Sequence, residues 1–278
     1  MKAKPYRTNM LLSAWAFLII LVMPPMSAPR ASAGQHPGQE SFSVPILLYH
    51  RFGPSVADSM TVTTAVFESH LRFLRDNGYT VIRLAELVDG YLGKGPVPKP
   101  KSVVITADDG HLSVCTVMFP LIRKYQVPVT LFIYPSAISN ASYAMTWDQL
   151  RNMHGSGLVD VQSHSYWHPN FIKERRRMSG AEFERSVDMQ LKKSREVIGK
   201  RLGVSAYMLA WPFGLYDDWL MTRARQDGYV AAFTIDGRHA TPSDNVMAIP
   251  RYLMVDADKG LAFRLLLEGK AVRRRITY

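Results

Sequence analysis

Two short segments hold side chains that can share one divalent cation. Thr106-Ala107-Asp108-Asp109-Gly110 sets two adjacent carboxylates before a glycine, and His164-Ser165-Tyr166-Trp167-His168 sets two imidazoles four residues apart. Catalytic zinc takes three nitrogen or oxygen ligands at about 2.0–2.2 Å and keeps one position open. One Asp and two His meet that need and leave the other Asp as a base. A cation that acidifies water beside a base is an arrangement for hydrolysing an acyl bond.

Each segment needs a particular backbone. Successive strand residues face opposite sides, so Asp108 and Asp109 enter one pocket only if the chain turns sharply, which Gly110 allows. The pair follows the apolar run Val103-Val104-Ile105, at the mouth of a core strand. Four residues of extended chain span roughly 13 Å, too far for one ion. Pro169 disfavours helix at His168. The segment therefore reads as a strand ending near His164 and a loop curling His168 back.

The elements around these segments alternate. β-Branched runs at Val44–Tyr49, Lys101–Thr106, Val127–Ile133, Leu158–Gln162, Ala206–Trp211 and Tyr229–Phe233 are separated by amphipathic stretches. Thr64–Asn77 carries Phe67, Leu71 and Leu74 on one face. Ser179 with Glu182 forms a capping box, and Phe183, Val187, Leu191 and Ile198 follow at helical spacing toward Gly203. This alternation predicts an α/β fold of about seven parallel strands and crossover helices, closed like a barrel. In such barrels chemistry sits at the C-terminal strand ends, where Asp108, Asp109, His164 and Trp211 all fall.

With those motifs in place, residues 44–255 resemble the polysaccharide deacetylases of carbohydrate esterase family four. Thr106–Gly110 is similar to their Thr-Phe-Asp-Asp-Gly signature, and Ser163–Pro169 to their His-Ser/Thr-x-x-His motif. Trp211-Pro212-Phe213-Gly214 resembles their third motif, Val44–His50 their first strand, and Ile249-Pro250-Arg251 a late motif. The resemblance implies a distorted (β/α) barrel and a metal-dependent N-deacetylase, with zinc the expected ion. It assigns Asp109, His164 and His168 as ligands, Asp108 as general base and the Phe213 backbone N–H as oxyanion donor. Ala107 replaces the usual Phe. Ala210 stands where many members have an Arg bracing the base, leaving Arg251 as candidate brace. No His follows His239, so either His239 is the acid or the amine is protonated otherwise.

Tyr166, Trp167 and Trp211 are candidates for stacking on sugar rings, and His50 for lining the same pocket. His70 and His111 read as structural, with His111 close enough to touch substrate. The Trp-Pro-Phe-Gly form without Arg is similar to bacterial exopolysaccharide deacetylases acting on poly-N-acetylglucosamine, ranked ahead of peptidoglycan and chitin oligosaccharides. The competing reading from another class is a glycan-binding barrel that turns over weakly.

Residues 1–33 read as a signal segment: Lys2, Lys4 and Arg7, an apolar run Leu11–Met23, Pro24-Pro25, then Ala31-Ser32-Ala33. Residues 34–43 read as a linker and 44–278 as the catalytic domain. The expected location is periplasmic or secreted. The chain has 278 residues and a formal charge of +11. Four basic and no acidic residues fall within 1–33, so the rest keeps 30 basic against 23 acidic, or +7. That field favours peripheral contact with an anionic envelope surface. No nucleic-acid motif accompanies it. Cys115 is the lone cysteine, so no intrachain disulfide forms, and its apolar setting reads as structural.

Overall fold

The computed structural model describes residues 41–270. The signal segment at 1–33, most of the 34–43 linker and residues 271–278 lie outside the described residues.

The strands are β1 (Ile46–Tyr49), β2 (Arg51–Gly53), β3 (Thr61–Thr63), β4 (Thr80–Val81), β5 (Ser102–Asp108), β6 (Val129–Ile133), β7 (Val159–Ser163), β8 (Met208–Ala210), β9 (Ala231–Phe233) and β10 (Tyr252–Leu253). The α-helices are α1 (Thr64–Asp76), α2 (Leu84–Tyr91), α3 (Phe119–Tyr125), α4 (Trp147–Gly155), α5 (Phe171–Arg175), α6 (Gly180–Leu202), α7 (Asp218–Gln226) and α8 (Leu261–Leu267). Seven strands pair in parallel in the order β10-β1-β5-β6-β7-β8-β9, and β4 pairs with the start of β5. Just before β10 pairs with β1, Ile249 bridges to Phe233 of β9. The last segment thus touches both edges, and a single bridge closes the distorted barrel.

Alternation along the strands sorts the core into layers. From β5, Val103, Ile105 and Ala107 face outward and pack with Phe67, Leu71 and Leu74 of α1. Val104 faces inward with Ile46, Phe132, Met208, Ala210 and Phe233. Thr106 and Asp108 share that inward frame, so the strand delivers Asp108 to the barrel's axis at its C-terminal mouth. All seven residues of β5 are buried, as a parallel strand covered on both faces requires.

The longest helix, α6, starts where the sequence says. Ser179 and Glu182 exchange the reciprocal bonds of a capping box, and Gly203 ends the helix in a left-handed conformation. Two details differ from the sequence reading. Phe42, assigned to the linker by composition, is buried and packs edge-on against Tyr91. Cys115 is half-buried, inside a π-helical turn at Val114–Met118 that precedes α3. His70 is structural as expected: its ring bonds Tyr49 Oη and the Asp258 carbonyl and stacks on Phe263.

Candidate active site

The site begins at the end of β5. Asp108 keeps the strand conformation and is buried, whereas Asp109 takes φ 72° and Gly110 φ 74°. Two left-handed residues in succession swing the Asp109 carboxylate back over the mouth. A Cβ on Gly110 would come within 2.8 Å of Ile138 Cδ1 and 3.3 Å of Ile133 Cγ2, and the positive φ strains any other L residue, so glycine suits this position.

β7 supplies the imidazoles. The strand ends at Ser163, and left-handed conformations at Ser165 (φ 62°) and His168 (φ 60°) curl the loop back. The two rings meet edge to face with centroids 4.5 Å apart. His164 Nε2 and His168 Nε2 lie 3.7 and 3.9 Å from Asp109 Oδ1. Two ligands about 2.1 Å from one ion at a tetrahedral angle lie about 3.4 Å apart, so these donors need close only slightly around a cation. One atom from each of Asp109, His164 and His168 falls within 4.8 Å of the others. The His164 tautomer also fits. Nδ1 is 2.8 Å from the Ala210 carbonyl, which only accepts, so Nδ1 carries the proton and Nε2 presents its lone pair to the site. Burial, with His164 alongside, pushes His168 down to about 3, so this ring is neutral and able to ligate.

Asp108 is not a free acid. Arg251 N–H groups donate to both its oxygens at 2.8 Å, a bidentate fork, and both residues are buried. Arg251 also donates to the Thr234 carbonyl and lies over the faces of Phe132 and Phe233. Burial would raise the Asp108 carboxyl, but the Arg251 guanidinium, with His164, outweighs it and holds the group below the usual carboxylate range. Asp108 Oδ2 lies 3.7 Å from His164 Nε2, so the braced carboxylate borders the candidate cation position.

Residues 95–232 match the polysaccharide deacetylase family profile. Those residues form a polysaccharide deacetylase domain. The chain is 26% identical over 273 residues to the poly-beta-1,6-N-acetyl-D-glucosamine N-deacetylase of Staphylococcus epidermidis, covering 90% of this chain and 93% of that protein. Over 244 residues it is 25% identical to the Escherichia coli K12 enzyme of the same name, covering 75% of this chain. There the chain spans only 36% of the relative's length. The fold is that of the Streptococcus pyogenes deacetylase PplD in complex with acetate, with a TM-score of 0.73 at 19% identity over 82% of this chain and 99% of that one.

The fold gathers most of the residues picked from sequence. Asp108, Asp109, His164, His168 and the brace Arg251 converge at one mouth. Phe213 (φ 57°) joins them, its ring centroid 4.5 Å from that of His168. His50, at the end of β1, lies within electrostatic reach of Asp109, Asp108 and His164, and its buried Nδ1 has no hydrogen-bond partner among the described residues. Trp167 is 51% exposed beside His168 and suits stacking, while Tyr166 lies under the Lys193 ammonium at 4.2 Å.

Two assignments fail. Trp211 is fully buried in the outer layer, its indole N–H bonded to the Met247 carbonyl, so it cannot stack on a sugar. His239 lies away from the gathered residues. Its ring nitrogens bond Ser43 Oγ and the Leu266 carbonyl, and Ser43 precedes β1, at the opposite end of the barrel from the site. Sequence reasoning also missed Tyr134 and Tyr143, whose hydroxyls pair at 2.6 Å on the rim, with the Tyr134 ring 5.4 Å from His168. His111 stacks on Tyr143 and bonds Ser113.

Proposed function

We propose that this protein is a zinc-type metal-dependent hydrolase that removes N-acetyl groups from an N-acetylglucosamine polysaccharide, with the β-1,6-linked exopolysaccharide ranked first. The convergence of Asp109, His164 and His168 on one point beside the Arg251-clamped Asp108 carries the reading. Near full-length similarity to the S. epidermidis enzyme supports the substrate. A cation held by the three ligands supplies Lewis acidity for the acetamide carbonyl and for water. Asp108 accepts a proton from the attacking water, and Arg251 keeps that carboxylate ionised and aimed. The Phe213 backbone N–H is assigned to the developing oxyanion. The amine leaves only after gaining a proton, and His50 replaces His239 as the ring placed to relay to it the proton that Asp108 takes from water. Burial lowers His50 against the pull of Asp109 and Asp108, so it rests neutral and relays. A pure glycan-binding barrel has no use for a buried, braced carboxylate at the cation.

Export to the periplasm or beyond, guided by residues 1–33, and peripheral contact with the envelope surface belong to the same reading. Acetate release from β-1,6-linked N-acetylglucosamine oligomers tests it, with β-1,4-linked oligomers and peptidoglycan as comparisons. Chelator should abolish release and added zinc restore it; release that ignores chelator and added metal alike would refute the proposal. In the same assay, His50→Ala should lower kcat by about 10²-fold or more, while His239→Ala keeps kcat near wild type. The reverse order would return the acid role to His239.

A further inference from the structure

We propose that Gln190 of α6 is a positioning residue that holds the His164–His168 loop in its cation-binding shape. The proposal rests on the cation-centre reading above. Gln190 is fully buried, and its Oε1 accepts two backbone N–H groups, from Tyr166 at 3.1 Å and Trp167 at 2.9 Å. These are two of the three residues that separate the imidazoles. The amide Nε2 has no partner among the described residues. A buried orphan donor is costly, so the side chain is placed here for what its oxygen does.

The loop needs such a hold. Ser165 and His168 both sit in the left-handed region, which non-glycine residues leave readily unless their surroundings enforce it. Inside the loop, Ser165 Oγ accepts the His168 N–H at 3.2 Å, a bond the left-handed residues depend on. From outside it, α6 supplies the anchorage. Ser194, one turn after Gln190, accepts the Ser163 hydroxyl at 2.8 Å, and Ser163 Oγ in turn accepts the Ser165 N–H at 3.2 Å. The Tyr229 hydroxyl reaches both Ser163 Oγ and the Leu191 carbonyl. Ser163 is thus pinned at the start of the loop. At its middle the Tyr166 carbonyl accepts the Ser136 N–H at 3.0 Å, and Gln190 takes up both neighbouring loop N–H groups with one oxygen. Loss of its oxygen frees the chain between His164 and His168 to relax and part the rings.

The test uses the full chain stripped by chelator, with Co²⁺ titrated in and followed by visible absorption. Gln190→Met removes the acceptor in a side chain of similar length. Gln190→Asn keeps the amide but withdraws its oxygen by about one bond, 1.5 Å. Val187→Ala, one turn earlier and buried in the same helix, loosens α6 without touching the loop. Both Gln190 variants should bind Co²⁺ at least about tenfold more weakly than wild type, with an altered spectrum. Val187→Ala should unfold at lower temperature in the metal-free state yet keep wild-type Co²⁺ affinity. If Gln190→Met does not fold, Gln190→Asn decides. Wild-type affinity and spectrum in a folded Gln190 variant overturn the proposal, as does an equal loss in Val187→Ala. A wild type that binds no Co²⁺ overturns the cation centre itself, which is a separate failure.

Discussion

Asp108→Asn should release acetate at least about 10²-fold more slowly than wild type while still binding zinc, because a general base contributes about 10²–10⁴-fold. The three proposed ligands are untouched by the change, and only the proton acceptor is lost. Asn keeps the size and one acceptor oxygen of Asp. Its amide group, however, must face an Arg251 N–H where a carboxylate oxygen stood 2.8 Å away. Some stability is therefore lost with the activity, and an unfolding curve must accompany the kinetics. Zinc affinity by calorimetry, together with acetate release from folded protein, separates the two effects. Activity within about tenfold of wild type would remove Asp108 from the role of base.

Arg251→Ala should destabilise the protein by about 3–5 kcal/mol, because it strands a carboxylate that is buried beneath the cation site. Denaturant unfolding reads this directly. The side chain spans the barrel interior from beside β10 to Asp108 of β5, so the deletion also empties space between Phe132 and Phe233. Without the guanidinium, Asp108 keeps only its neighbouring imidazoles against burial, which raises a carboxyl and favours the protonated, inactive form. Activity should therefore fall along with stability. The double variant Asp108→Leu with Arg251→Met should recover most of the stability and none of the activity, since apolar pairs of similar volume often replace buried ion pairs without loss. A single variant as stable as wild type, or a double variant no better than the single, would show that the pair does not behave as a clamped base.

The residues gathered around the candidate cation position were legible because their chemistry is written in residue type and spacing. Asp-Asp-Gly after an apolar run, and two imidazoles before a proline, each admit few backbones. The barrel followed from alternating β-branched runs and amphipathic helices, although β10 is too short for such a pattern to register. Trp211 was misjudged by position alone. It follows Ala210, which faces the barrel interior, so the two-residue period of β8 already turns it outward. His239 was misjudged because closeness to β9 in sequence says nothing about which end of the barrel the following loop visits. Gln190 and the Ser163–Ser194–Tyr229 chain were missed for a different reason. A polar residue on the face of a long helix signals nothing until the fold shows which backbone it meets.

Arg251 leaves the chain beside the last barrel strand, and His50 ends the first. The candidate ligands and the candidate base all lie between 108 and 168, yet Asp108 gains its counter-ion only when the segment after Ile249 seats against both edges. A nascent chain on the ribosome would therefore carry every candidate metal donor well before it carried the guanidinium that clamps Asp108.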